Sequence, residues 1–275
     1  MIRITVLMEN SDGENGCAFE HGLSVYVETD SQNILADTGA SSKLLFNADR
    51  LGIDLSKADL LALSHGHYDH AGGILAFYER NRTAPIYMQK SAGEAYYSGE
   101  RFIGIDPRIL DLPTLHMIDG EKYPEGRFEI NPETDLLFGV TARRFWPEGN
   151  RVMFKETGGI RKPDSFDHEQ SLVIHGEKEL LICGCAHCGI LNILDQYRRI
   201  YQADPDIVIG GFHMMKKTEY TDSEAETVIH TAEELEKMKT VFYTGHCTGG
   251  KALRLMQPIL KERLVPMHSG MQITF

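Results

Sequence analysis

Ser64-His65-Gly66-His67-Tyr68-Asp69-His70-Ala71-Gly72-Gly73 sets three imidazoles and a carboxylate within six residues. Neutral imidazole and carboxylate suit zinc, iron or manganese, so the segment reads as a site for one or two metal ions. In extended chain His65 and His67 point to the same side and can share one ion. As the chain turns into a helix, Asp69 and His70 come round to a second point nearby, and a helix start favours the anionic Asp69. Small residues (Gly66, Ala71, Gly72, Gly73) let the backbone close tightly about the ions. A lone histidine is more often structural or exposed than a ligand. Four ligand-type residues in a loop with little packing purpose reverse that balance.

The elements that must position this cluster follow from periodicity. Strands are predicted over Ile2–Met8, Leu23–Thr29, Ile34–Ala36 and Asp59–Leu63, the last ending where the histidines begin. A helix is expected from Ser41 or Ser42 to about Leu51, and another over His70–Arg80. Pro85–Met88 reads as a strand, 99–132 as a long irregular excursion, and Phe138–Phe145 as a further strand. Ser171–Ile174 and Glu179–Cys183 read as a hairpin, Gly189–Tyr201 as helix, Ile207–Gly210 as strand. Glu219–Lys239 reads as helix, and Thr240–Thr244 as a strand that ends at Gly245-His246. Strand runs with helices in both halves and no dividing linker predict an α/β chain folded as a four-layer αββα sandwich, a single domain over 1–275.

Composition narrows the function. The 28 basic and 40 acidic residues give a formal charge of −12, which disfavours a nucleic-acid binder. Hydrophobic residues make up 42%, ample for a core, yet no apolar run approaches a membrane span. The opening residues read as a strand and not as an export signal. Five cysteines, three of them crowded into Cys183-Gly184-Cys185-Ala186-His187-Cys188, do not form a disulfide framework. The expectation is a cytoplasmic protein with reduced thiols, acting on a small anionic molecule and not on nucleic acid or membrane. An iron–sulfur or zinc knot is the rival reading of these cysteines; core thiols, with Cys185 or Cys247 lining the metal pocket, fit the spacing better. The oligomeric state is not readable.

His-x-His-x-Asp-His after a buried strand resembles the signature of the metallo-β-lactamase superfamily, and the resemblance spans the whole chain. It implies the αββα sandwich with metals at the sheet edge. Asp37-Thr38-Gly39 matches the early aspartate that supports the ligands from behind, and Tyr243-Thr244-Gly245-His246 the late Gly-His. By analogy His65 and His67 bind a first ion, and Asp69, His70 and His246 a second. Commoner members supply a further histidine and then a bridging aspartate; here Cys185 stands near that aspartate's place. His187 is taken as the remaining first-ion ligand, with His168 as the alternative. Glu20-His21-Gly22, Gly184-Cys185-Ala186-His187-Cys188-Gly189, Gly210-Gly211-Phe212-His213 and Gly245-His246-Cys247-Thr248-Gly249 occur together in a branch similar to dihydropterin–ribofuranosylaminobenzene-phosphate synthases. Bacterial relatives in that branch are labelled metal-dependent hydrolases.

The expected activity is therefore hydrolysis by metal-bound hydroxide, with zinc as the leading ion. A transferase that displaces diphosphate, and a non-catalytic metal- or ligand-binding protein, are the alternatives. Asp69, His213, His21 and Asn192 are the candidates for catalysis or substrate contact. Arg143, Arg144, Arg161 and Lys162 are candidates to hold a phosphate, against the bland reading of solvated surface.

Overall fold

In the computed structural model, which describes residues 1–13 and 16–275, the apolar strands form two seven-stranded sheets. The first runs, edge to edge, β18 (Gln272–Thr274), β1 (Arg3–Met8), β2 (Ser24–Glu28), β3 (Asn33–Ala36), β4 (Leu60–Ala62), β5 (Ile86–Gln89) and β8 (Leu115–Ile118). The second runs β17 (Leu264–Pro266), β16 (Val241–Thr244), β15 (Ile207–Gly210), β14 (Leu180–Ile182), β13 (Gln170–Ile174), β10 (Thr134–Phe138) and β9 (Arg127–Asn131). A four-stranded sheet of β12 (Ile160–Pro163), β11 (Met153–Thr157), β6 (Ala95–Ser98) and β7 (Arg101–Phe102) stands apart from both.

Alternation sorts the side chains into layers. Val25, Val27, Ile34 and Ala36 pack with Leu172, Ile174, Ile182 and Ile209 between the sheets. Tyr26, Leu35 and Leu61 point the other way, against α1 (Lys43–Leu51) and α3 (Ile74–Arg80), which bury Leu44, Ala48, Ile74 and Phe77. On the far side, α4 (Ile190–Tyr201), α5 (Asp222–Glu236) and α6 (Gly249–Leu260) lay Leu194, Val228, Leu235 and Met256 on the second sheet. This is the αββα order that the sequence pattern predicts.

Three predicted stretches are redrawn, and the first is the irregular excursion expected over 99–132, which holds β7 and the edge strands β8 and β9. The strand expected over Phe138–Phe145 is instead Thr134–Phe138; Gly139, at φ 72°, leaves the extended region and ends it. The helix expected over His70–Arg80 splits into α2 (Tyr68–Ala71) and α3, because the Gly72-Gly73 turn presses on the 40 loop. A Cβ on Gly72 would lie 2.2 Å from the Ala40 carbonyl oxygen. The β11–β12 hairpin lies in chain with little apolar alternation, since β12 is exposed throughout.

Strands β3, β4 and β5 run parallel, as do β14, β15 and β16. The segments that leave β3, β4, β14, β15 and β16 at their C-terminal ends carry Asp37, the histidine cluster, Cys185 and His187, His213, and His246. Parallel order thus delivers chemistry from remote parts of the chain to one edge of the sandwich.

Candidate metal centre

His65, His67 and His187 are buried, and each has an Nε2 with no hydrogen-bond partner among the described residues. Their ring centroids lie 4.5, 4.9 and 4.9 Å apart. A buried polar atom left unpaired costs about 1–3 kcal/mol, so three gathered in one place require an explanation. A divalent cation accepting their lone pairs supplies it. His168, the alternative third imidazole, has both ring nitrogens engaged: Nδ1 accepts from Gly66 N at 2.9 Å, and Nε2 pairs with Asp164 at 3.1 Å.

A second group adjoins the first. His70 Nε2 lies 3.2 Å from both His246 Nε2 and Cys185 Sγ. Asp69 Oδ2 is 3.4 Å from His246 Nε2 and 4.0 Å from His70 Nε2. Imidazole, carboxylate and thiol together suit zinc or iron better than magnesium or calcium. The donor set fits divalent metal at both places.

Four of the rings, those of His65, His70, His187 and His246, are aimed from behind. His70 Nδ1 donates to Asp37 Oδ2 at 2.6 Å, and Ser64 Oγ donates to the same carboxylate oxygen at 2.7 Å. That hydroxyl oxygen lies 2.8 Å from His65 Nδ1, so Asp37 steadies an imidazole in each group. Asn150 and Asn10 do the same for His187 and His246. Glu169 accepts from the His187 and Cys188 backbone N–H groups at 2.6 and 2.7 Å, pinning that turn. Glu9 accepts from the His246 backbone.

In the first group the protonation states agree with ligand duty; in the second, a cation would have to displace the Nε2 proton of His70. Burial, with other imidazoles nearby, pushes His65 and His187 well down and His67 down to about 3, keeping their lone pairs available. Burial opposes charge on His70 too, but the Asp37 and Asp69 carboxylates outweigh it and hold this ring up to about 9. Burial likewise works against ionised Asp69, yet hydrogen bonds from His21 and His246 keep its carboxyl well below the usual range.

Backbone strain collects here. Asp37, Ala186, His213 and His246 all have positive φ, between 48° and 57°. Such a conformation costs a non-glycine residue about 1–3 kcal/mol and persists only where its surroundings over-determine it.

The groups open on a cleft of about 380 Å³, with His21, Asp69, Cys185, His187 and His213 in its walls. His21 sits at the rim, Nε2 3.2 Å from Asp69 Oδ2 and its ring 4.8 Å from that of His246. The His213 ring is 4.0 Å from that of His187, its Nδ1 buried and unpartnered. Asn192 does not join them. Its amide is spent on Arg144 N, Arg144 O and Cys188 O, which makes it a brace for the 144 loop. The expected phosphate holders are also elsewhere: Arg144 pairs with Asp195 and Glu234, Arg161 with Glu100 and Glu156, Arg143 lies over Trp146, and Lys162 is on exposed β12. The cations in the cleft wall are Arg101, Lys216 and Lys217, which the sequence reading missed. For Lys216 and Lys217 a signal existed, since they follow Gly210-Gly211-Phe212-His213 off the end of β15; Arg101, Asn10 and Asn150 had none.

A family model of the metallo-beta-lactamase superfamily matches residues 18–186, which include Asp37, the histidine cluster and Cys185. The chain belongs to that superfamily. Among its relatives is the 7,8-dihydropterin-6-methyl-4-(beta-D-ribofuranosyl)-aminobenzene-5'-phosphate synthase of Methanocaldococcus jannaschii. The two are 29% identical over 296 residues, covering 100% of this chain and 97% of the relative. The solved structure of Tm1679, described as a metal-dependent hydrolase of the beta-lactamase superfamily, is 33% identical, with TM-score 0.83 over 100% of this chain and 99% of that one. A diphosphatase of the PhnP family shares the fold at 15% identity, with TM-score 0.56 over 100% and 98% of the two chains. Metallo-beta-lactamase folds imply divalent metal, in keeping with the ligand groups described above. Among the described residues, no helix is long and apolar enough to cross a membrane.

Proposed function

We propose that the chain is a metal-dependent hydrolase acting on a small anionic, phosphate-bearing molecule. The observation that carries the reading is a cation-walled cleft directly over three buried imidazoles with unused nitrogens. When bound, divalent metal supplies Lewis acidity and a water activated near neutral pH. Arg101 and Lys217 gather the anion against the protein's overall charge of −12, while Lys216 is already held by Glu224 at 2.7 Å. His21 holds a proton at the rim, its imidazolium stabilised above the usual range chiefly by its hydrogen bond with Asp69, where a leaving group can collect it.

The remainder of the substrate has a place to go. A second cavity, of about 420 Å³, shares Gly149, Val152, His213, Met215 and Lys216 with the cleft. Phe145, Trp146, Tyr220 and Val228 line one side of it, which suits a flat apolar body. His213 stands where the two spaces meet.

Metal-loaded protein should release phosphate from an aryl phosphate such as 1-naphthyl phosphate with water as the only acceptor. The full-length identity to a synthase supports a second reading, diphosphate displacement by an arylamine. Release of diphosphate from a dihydropterin diphosphate only when an arylamine is present would select it. Fully metallated protein inert in both assays would overturn both.

A further inference from the structure

We propose that the Cys185 thiolate is shared by the two ligand groups, one sulfur joining two divalent ions. The proposal rests on the metal reading above and adds what holds the ions together.

Cys185 is the residue common to both histidine pairs: its Sγ and the ring nitrogens of His65 and His187 all lie within 4.8 Å of one another, and so do its Sγ and those of His70 and His246. The sulfur is 3.2 Å from His70 Nε2, in a residue only 3% exposed. Backbone geometry puts it there. Cys185 and His187 are two residues apart just beyond β14, and Ala186 between them turns the chain at φ 51°. Gly184 lets this segment press against β4's exit, where a Cβ would fall 2.1 Å from Ser64 Oγ.

Among the described residues, the other anions do not reach both sides. Asp69 lies with His21 and His246, in the second group only. Cys247 belongs with Cys185 and His213 but with neither histidine pair; its Sγ is turned toward the Cys185 carbonyl at 3.5 Å and the His213 N–H at 3.3 Å. Two dications among neutral imidazoles repel strongly in a buried site, and an anion between them offsets that repulsion. On metal binding the Cys185 thiol proton leaves to solvent and the sulfur bonds to both ions. A soft bridging ligand biases the centre toward zinc or ferrous iron.

Cobalt(II) added to metal-free protein under reducing, oxygen-free conditions tests this, read by ion stoichiometry and by the sulfur-to-cobalt charge-transfer absorption. Wild-type protein should take two ions and show the band. Cys185→Ser should lose the band and bind its second ion at least tenfold more weakly. Cys185→Asp, which restores an anion and serves if the serine variant fails to fold, should keep two ions without the band. Cys247→Ser should retain both ions and the band. A band that survives in Cys185→Ser, or that disappears in Cys247→Ser, overturns the assignment, as does unweakened uptake of two ions by Cys185→Ser. Wild-type protein that takes up no cobalt would overturn the metal reading itself, a different and distinguishable failure.

Discussion

Asn150 grips His187 at both ends. Its amide nitrogen donates to the His187 carbonyl at 2.7 Å while its Oδ1 accepts from the ring Nδ1 at 3.1 Å. Asn10 repeats the arrangement on His246, at 3.3 Å to the carbonyl and 2.7 Å from Nδ1. A proton fixed on Nδ1 leaves the Nε2 lone pair for a cation, and the carbonyl bond stops the residue from swinging away. Asn150→Ala should therefore weaken metal binding about 10–100-fold with the fold intact. Chelator competition, with circular dichroism as the fold control, measures it; unaltered affinity would remove Asn150 from the account.

Gly184→Ala tests the close approach of the two sheets beneath the centre. The added methyl would meet Ser64 Oγ at 2.1 Å and His65 Nδ1 at 2.9 Å, displacing the pair that aims His65. Overpacking of this kind costs about 1–3 kcal/mol. The variant should show a lower urea midpoint together with poorer metal retention. Gly250→Ala is the control: in α6, its new Cβ meets only the Arg254 guanidinium at 3.5 Å, and it should be neutral or slightly stabilising.

These residues also show where sequence reading stops. The layers were legible because Leu23, Val25 and Val27 alternate and Ile34-Leu35-Ala36 is a short apolar run, and both stretches are buried on each face. The histidine cluster was legible because its ligands are neighbours in sequence. His187 and His246 lie far along the chain, and their assignment as ligands leaned on family resemblance. Asn10 and Asn150 were illegible, since a single asparagine in a loop has no pattern and its partner is a matter of tertiary contact. The same holds for charge: Arg144 and Arg161 look like anion holders until the fold gives them Asp195, Glu234, Glu100 and Glu156. Exposed β12 lacks the burial that creates alternation in the first place.

His67→Ala separates ligand duty from packing. The substitution deletes a buried Nε2 that has no partner, so the metal-free protein should lose little stability for a residue so buried. The rise in melting temperature on adding zinc should shrink sharply, because stabilisation by a ligand depends on its affinity for the folded state. An undiminished zinc-induced shift would exclude His67 from the ligand set.

Trp146 is the chain's single tryptophan and it lines the apolar cavity, which makes it a built-in reporter. It lies beneath Arg143, 4.0 Å from guanidinium carbon to ring centroid, and 5.6 Å from Phe166, itself stacked at 4.5 Å on His187. Binding of 1-naphthyl phosphate should change Trp146 emission saturably, and inorganic phosphate alone should change it little. Tyr220→Ala should raise KM for the aryl ester more than it lowers kcat, as expected for a wall that binds and does not react. Equal responses to both ligands would place the aromatic body elsewhere.

Away from the candidate metal centre, His175 makes stability depend on pH in a direction that can be worked out. Its Nε2 lies 2.9 Å from the buried Asp135 carboxylate and its Nδ1 2.8 Å from Glu179. The hydrogen bond to Asp135 comes first among the causes that raise its pKa above the ordinary value, with burial opposing and Glu179 adding. A raised folded-state pKa means that the stabilisation is complete below the unfolded value of ~6.5 and is lost as pH climbs through the folded one. Asp135 is held below its ordinary range and stays ionised throughout, so His175 alone changes charge within this pair. His175→Gln should then cost on the order of 1 kcal/mol at mildly acidic pH, trimmed by partial exposure, and progressively less as pH rises above ~6.5. Urea midpoints for both proteins across that range give the difference directly. A gap that widened with pH would mean that the neutral ring, and not the imidazolium, is what the two carboxylates hold.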